Sequence, residues 1–253
     1  GPKWKPGFTK AIQYWVPSIA TSAVTIYKGN EFKEWNGHAL ITSLKDKSLR
    51  KLIFKNKSNI KELVLDDGSR VTGDLFIDCT GWKQMLIGNK NVDCSDRLFI
   101  NSALAARVEY NNLSEQHPYT ACPAQEHGWI WKIPTRSRIG TGYCFNKDVV
   151  DPDKVAQAFS DHWNGRIKPE DMRLLDWKPQ YSKSFWKGNV VPIGLSAGFI
   201  EPLESTGLAM MIRGVEYLEE SIYGCSFNPK IDPQFFDSKM KASFETAVDY
   251  VSM

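Results

Sequence analysis

The chain has 253 residues, 42% hydrophobic and 24% charged, with a formal net charge of +3. That is enough chain for one large core or two modest ones. The charge is too small, and too free of lysine runs interleaved with aromatics, for a nucleic-acid surface. No apolar run approaches the roughly 18 residues of a membrane span, and no signal peptide is visible. The five cysteines (Cys79, Cys94, Cys122, Cys144, Cys225) are scattered, odd in number and never in a C-x-x-C. They argue against a metal site or a disulfide framework and for a reducing, cytoplasmic setting. Nine tryptophans are unusual and suggest large planar surfaces, inside the fold or around a flat ligand. Gly1-Pro2 in place of an initiator Met, and a helical pattern still running at Val251–Met253, suggest part of something longer.

Residues 1–50 carry Trp4, Trp15 and Trp35 among Lys, Gly and Pro, with one extended apolar stretch from Ile19 to Tyr27. From there the pattern sharpens. Leu52-Ile53-Phe54 and Glu62–Leu65 read as strands, Asp66-Asp67-Gly68-Ser69 as a hairpin turn, and Arg70-Val71-Thr72 as the returning strand. Leu75–Cys79 is a nearly continuous apolar strand ending in Thr80-Gly81-Trp82. Such a turn is either a crevice at a strand's C-terminal end, where open α/β sheets bind nucleotides, or a plain hairpin feeding a core strand.

Residues 98–146 change to an antiparallel pattern. Leu98–Tyr110 alternates loosely and Trp129-Ile130-Trp131-Lys132-Ile133 strictly; Gly142–Phe145 follows what reads as a Gly-rich turn. Period-two alternation puts Trp129, Trp131 and Ile133 on one face, as core or as the wall of a cavity. Asp151-Pro152 caps an amphipathic helix bearing Val155, Ala158, Phe159 and Trp163. Residues 166–188 read as a polar connection with a strand-like piece near Tyr181–Trp186. The apolar positions 208, 211, 212, 215, 218 and 222 predict a buried helix, and a further helix runs from Pro233 to the end.

Between strand and helix lies Gly194–Gly207, G-L-S-A-G-F-I-E-P-L-E-S-T-G, with Glu201 and Glu204 three residues apart and the hydroxyls of Ser205 and Thr206 after them. A helix start offers backbone N–H groups and a positive dipole end, so the stretch fits an anion site; it equally fits an ordinary loop with a Ser or Thr cap.

Three stretches resemble one family. Trp129-Ile130-Trp131-Lys132-Ile133-Pro134, with Gly128 before it, matches the W-x-W-x-I-P signature of the flavin-dependent halogenases, the tryptophan halogenase family. Gly194–Gly207 is similar to that family's flavin and halide segment almost letter for letter, and Asp67–Gly81 to its flavin-side strand. The resemblance runs from about residue 50 to the end. It implies an α/β, flavin monooxygenase-like FAD-binding fold, incomplete here, with an antiparallel substrate-side sheet and helices. The implied organisation is 1–82 as a partial FAD-binding region, 83–188 as the substrate-side sheet, and 189–253 as the FAD/halide segment with its helices.

The implied activity is oxidation of a halide (chloride or bromide) through a flavin hydroperoxide, and halogenation of an electron-rich aromatic small molecule. FAD would arrive as FADH2 from a separate NAD(P)H flavin reductase; no nucleic acid or membrane partner is implied, and a homodimer is compatible. The resemblance makes Glu204 catalytic with Ser205 as its hydrogen-bonding partner, and gives the halide to the backbone of Thr206 and Gly207. Gly194, Leu195 and Leu208 would contact FAD. Trp129, Trp131, Ile133 and Pro134 would form a wall between substrate and cofactor. Glu201 is expected to be structural, capping the loop before Pro202. The chain lacks the family's G-x-G-x-x-G and catalytic lysine; Gly140-Thr141-Gly142 has no third glycine, and Lys28, Lys33 and Lys83 do not match. Both are expected in sequence outside this chain. The alternatives are an aromatic monooxygenase, or a non-catalytic remnant of the fold.

Overall fold

The computed structural model describes residues 21–26, 39–43, 48–54, 59–65, 67–88, 90–223 and 231–253. The readings made at Trp4, Trp15, Trp35, Lys28, Lys33 and Cys225 lie outside them. The chain forms two compact units, one from Gly1–Gly88 with Trp186–Pro192, the other from Asn89–Phe185 with Ile193–Met253.

The first unit contains a five-stranded antiparallel sheet in chain order: β1 (Thr21–Ile26), β2 (Ala39–Ser43), β3 (Ser48–Phe54), β4 (Ile60–Val64) and β5 (Arg70–Thr72). The turn from β4 to β5 forms as the sequence predicts. Leu65 N–H bonds the Ser69 carbonyl at 2.8 Å, Gly68 takes φ +78°, and Asp67 Oδ1 accepts from Ser69 N–H at 2.8 Å. Beyond it, β6 (Phe76–Asp78) pairs in parallel with β14 (Val190–Pro192), Ile77 opposite Val191. Ile60, Phe76, Ile87 and Val190 pack together as this unit's small core. The fully buried Asp78 fixes the turn after β6: its carboxylate accepts from Thr80 N–H and Oγ1 and from the N–H groups of Leu86 and Ile87, all at 2.6–2.9 Å.

The second unit is built on an antiparallel sheet of order β12-β8-β11-β10-β9: β12 (Arg173–Asp176), β8 (Ser102–Glu109), β11 (Arg138–Phe145), β10 (Gly128–Pro134) and β9 (Ala124–Gln125). Two features differ from the sequence reading. The chain turns at Thr135–Arg138, where Thr135 N–H bonds the Arg138 carbonyl at 2.8 Å; the strand expected to begin at Gly142 begins at Arg138, so Gly140 lies inside β11 rather than in a turn. Residues 173–176, expected to be connection, form the edge strand β12, which offers too short and too charged a stretch for alternation to show.

Helix α1 (Pro152–His162) starts as predicted, with Asp151 accepting from Asp153 N–H at 3.0 Å and Pro152 in the first turn. Its Val155, Ala156 and Phe159, followed by Trp163 and Ile167, pack on Leu104, Val108, Ile130, Ile139, Tyr143 and Phe145 of the sheet. A small sheet joins β13 (Gln180–Ser182) to β7 (Asn91–Asp93) and β15 (Gly198–Phe199).

Helices α2 (Thr206–Tyr223) and α3 (Pro233–Val251) complete the unit. The spacing of α2 is helical as expected, but its burial is not. Leu208, Met211, Ile212 and Val215 are 40–55% exposed, while Met210, Gly214, Leu218 and Ser221 face inward. The reason is close helix approach: a Cβ on Gly214 would stand 3.5 Å from Met240 Cε of α3 and 3.4 Å from Ile193 Cδ1. Gly214 therefore marks the point of closest contact, with Met210 and Leu218 packed inward on either side of it.

Candidate active site

The register of the second unit's main sheet determines what each residue of the Trp–Ile–Trp–Lys strand can touch. Ile130 lies opposite Tyr143 and is completely buried on the α1 side. Lys132 shares that side; its ammonium sits over the Trp163 ring at 4.5 Å, and burial pulls its pKa down. This lysine therefore faces away from the tryptophan pair. Pro134 pairs with Ile139 on the same side.

Trp129, Trp131 and Ile133 occupy the other face, as the alternation predicts, with the indoles in edge contact at 6.2 Å and 61°. Opposite them stand small residues: Cys144 against Trp129, Gly142 against Trp131, then Ala103 and Ala105 on β8. A Cβ on Gly142 would lie 2.2 Å from the Trp131 ring, so this indole rests directly on glycine backbone. Gly142 is a site residue that the sequence reading missed; the signal was a glycine two residues from another, across from W-x-W.

Residues 194–207 reach this face from the far side of the sequence. Trp129 Nε1–H donates to Glu201 Oε1 at 2.9 Å, across 72 residues. Glu201 is only 5% exposed. Burial raises its pKa, and the indole hydrogen bond partly offsets the rise. Its carboxylate contributes to holding the buried Cys144 thiol protonated, though burial is the larger cause. The Glu201 carbonyl in turn accepts from Thr206 Oγ1.

Between those two anchors Glu204 and Ser205 both take φ +54°, the left-handed region that costs a non-glycine residue roughly 1–2 kcal/mol. Both are exposed, whereas Thr206 is buried at the first turn of α2. The Ser205 N–H bonds the Pro202 carbonyl at 3.1 Å and the Thr206 N–H bonds that of Leu203, closing a tight turn in front of the helix. Cys122, next to the isolated bridge between Ala121 and Lys132, has its thiol pKa raised by burial and then by the charge of Glu204.

Gly194, Leu195 and Leu208 lie at the two ends of the same stretch of chain. Gly194 takes φ +69°, and the nearest atom to a Cβ there is Met211 Sδ at 4.0 Å, so its backbone is open to a flat ligand. Leu195 and Leu208 are both about half exposed. Gly207 sits under the Phe199 ring, 3.3 Å from where a Cβ would stand. In the other unit, the end of β6 presents Gly81 at φ +72° and an exposed Trp82.

The family model for tryptophan halogenase matches residues 32–253. The tryptophan 7-halogenase RebH of Lentzea aerocolonigenes is 29% identical over 198 residues, 76% of this chain and 37% of that protein. The tryptophan 6-halogenase SttH of Streptomyces toxytricini is 34% identical over 177 residues, 68% of this chain and 34% of that protein. Among solved structures, Xcc4156, a flavin-dependent halogenase from Xanthomonas campestris, superposes with a TM-score of 0.68 at 33% identity, covering 79% of this chain and 41% of that one. The chain therefore spans between a third and a half of these relatives' lengths, and with both signature stretches in one site it belongs to the tryptophan halogenase family.

Proposed function

We propose that the protein carrying this chain is an FAD-dependent halogenase that oxidises a halide and delivers the resulting hypohalous acid to an electron-rich aromatic small molecule. The observation that carries the reading is the bond from Trp129 to Glu201, which brings the tryptophan wall and the Glu201–Gly207 turn into one site. Free tryptophan and other indoles are the first substrates to test, because the relatives above are named for tryptophan.

The residues present fit the cofactor: Gly194 leaves backbone open to an isoalloxazine, and the half-exposed Leu195 and Leu208 offer apolar surface to it. Bound reduced FAD supplies, with O2, the oxidising equivalents, and a separate NAD(P)H flavin reductase delivers it. The turn ahead of α2 holds the halide, since an 18-residue helix concentrates positive potential at its start. Gly207 and Thr206 are the donors, and an anion at Thr206 displaces its bond to Leu203. Glu204 positions the halogenating species and stabilises positive charge developing on the arene, with Ser205 as its hydrogen-bonding neighbour. Trp129 and Trp131 keep the arene off the cofactor, which favours halide oxidation over direct oxygen transfer. No described helix is long and apolar enough to cross a membrane; the proposed setting is the reducing cytoplasm, where free thiols such as Cys79, Cys94, Cys122 and Cys144 persist.

The test combines full-length protein, FAD, a flavin reductase, NADH and chloride or bromide with indoles, phenols and pyrroles, read by mass spectrometry. Halogen isotope patterns that require added halide are the expected result; oxygenated products without halogen overturn it. In the same assay Glu204→Gln lowers turnover about 100-fold, the scale of one lost electrostatic partner, with FAD affinity unchanged.

A further inference from the structure

We propose that Glu201 is a positioning residue that locks the tryptophan wall to the turn carrying Glu204. The proposal rests on the halogenase reading and deepens it. Sequence alone made Glu201 a loop cap; its contacts give it a different job. Its side chain takes the Trp129 indole N–H at 2.9 Å, and its main-chain carbonyl takes the hydroxyl of Thr206, the first residue of α2. One residue thus grips β10 through its carboxylate and the head of the helix through its backbone.

What lies between those grips explains why they matter. Glu204 and Ser205 are consecutive non-glycine residues at φ +54°, a conformation that persists only where the chain on both sides is held. On the C-terminal side the holder is α2. On the N-terminal side it is Glu201, buried to 5% exposure, with no ion-pair partner among the described residues. A carboxylate placed there without a cation is a costly way to fill space and an effective way to orient an indole. Because Trp129 meets Trp131 edge-on at 6.2 Å, and Trp131 is seated on Gly142, the orientation of one ring constrains the other. Loosening Glu201 therefore frees the wall and the turn together, although Glu201 itself touches no reacting atom.

Three variants test this: Glu201→Gln, which keeps an acceptor of the same shape, Glu201→Leu, which removes it, and Trp129→Phe, which removes the donor. The first readout is the indole N–H resonance of Trp129 in tryptophan-labelled protein, assigned by its loss in Trp129→Phe. It should stay near its wild-type position in Glu201→Gln, move upfield in Glu201→Leu, and stay in place in Glu204→Gln. The second readout is the KM for halide and the peroxide released per halogenated product. Both should rise about tenfold in Glu201→Leu and in Trp129→Phe, the equivalent of one buried hydrogen bond, and recover in Glu201→Gln.

An indole resonance unmoved by Glu201→Leu overturns the proposal, as does a Trp129→Phe enzyme with wild-type halide KM and peroxide leak. If Glu201→Leu does not fold, Trp129→Phe and Glu201→Gln carry the same decision. If the wild-type protein makes no halogenated product, the halogenase reading falls, and the indole resonance still decides whether Glu201 holds the wall.

Discussion

The two faces of the sheet β8–β11–β10 use the same three strands for opposite purposes. On one face, Leu104, Val108, Ile130, Tyr143 and Phe145 meet α1 in a closed apolar core with Phe159 at its centre. On the other, two indoles stand across from Gly142 and Cys144, with Ala105 and Ala103 on the next strand, and one indole is held by a carboxylate. Large residues interlocked with large ones give stability on the first face. Large rings on small neighbours give the second a shaped surface whose orientation depends on single hydrogen bonds. The strand period of two lets each face change without disturbing the other.

Truncating the first face should produce the largest effect. Phe159→Ala removes a fully buried ring that stands edge-on to Tyr143 at 6.1 Å. We expect a loss of about 3–5 kcal/mol in urea unfolding, with the Trp129 indole environment unchanged in whatever fraction remains folded. A loss below about 1 kcal/mol would mean that α1 contributes little to the core. Gly142→Ala probes the second face. The new methyl would meet the Trp131 ring at 2.2 Å, so the ring must move. Overpacking of this kind costs about 1–3 kcal/mol, and tryptophan fluorescence should shift with it. If Gly142→Ala leaves both stability and fluorescence unchanged, Trp131 is not seated as described.

How much of this the sequence shows depends on the range over which each feature is decided. Local rules suffice for the Asp151 cap, the Asp67–Ser69 turn and the shared face of Trp129 and Trp131, because caps, turns and alternation are set within a few residues. Features decided by a distant partner are not visible in the same way. The buried-helix reading of α2 holds at Leu218 but not at Leu208, Met211, Ile212 and Val215, because the deciding contacts, Met240 against Gly214, come from another helix. The seat of Trp131 on Gly142 is hidden for the same reason, because nothing local says that an indole will lie across that glycine. Glu201 read as a cap because its partner is 72 residues away. Family resemblance locates such residues, but only the register says what they touch.

The smallest expected effect separates the two faces by pH. Glu201 is the buried carboxylate of the indole face, with the Trp129 N–H and the Cys144 thiol around it, and burial is the larger influence on its pKa, ahead of the indole hydrogen bond. Its folded pKa therefore lies above the unfolded carboxylate value of about 4.3. A raised folded pKa means that the folded state holds the proton more tightly. The resulting stabilisation is fully present below the unfolded pKa and is lost as pH rises through the folded one. Glu201→Gln cannot ionise and has no such loss. The stability of Glu201→Gln relative to wild type should accordingly improve between pH 4 and pH 8, by less than the cost of Gly142→Ala, in urea unfolding at stepped pH. Phe159→Ala should show no such pH-dependent difference. If the Glu201→Gln difference instead runs the other way, the indole hydrogen bond outweighs burial and Glu201 grips Trp129 as a stabilised anion; a flat difference means that its ionisation is not coupled to folding.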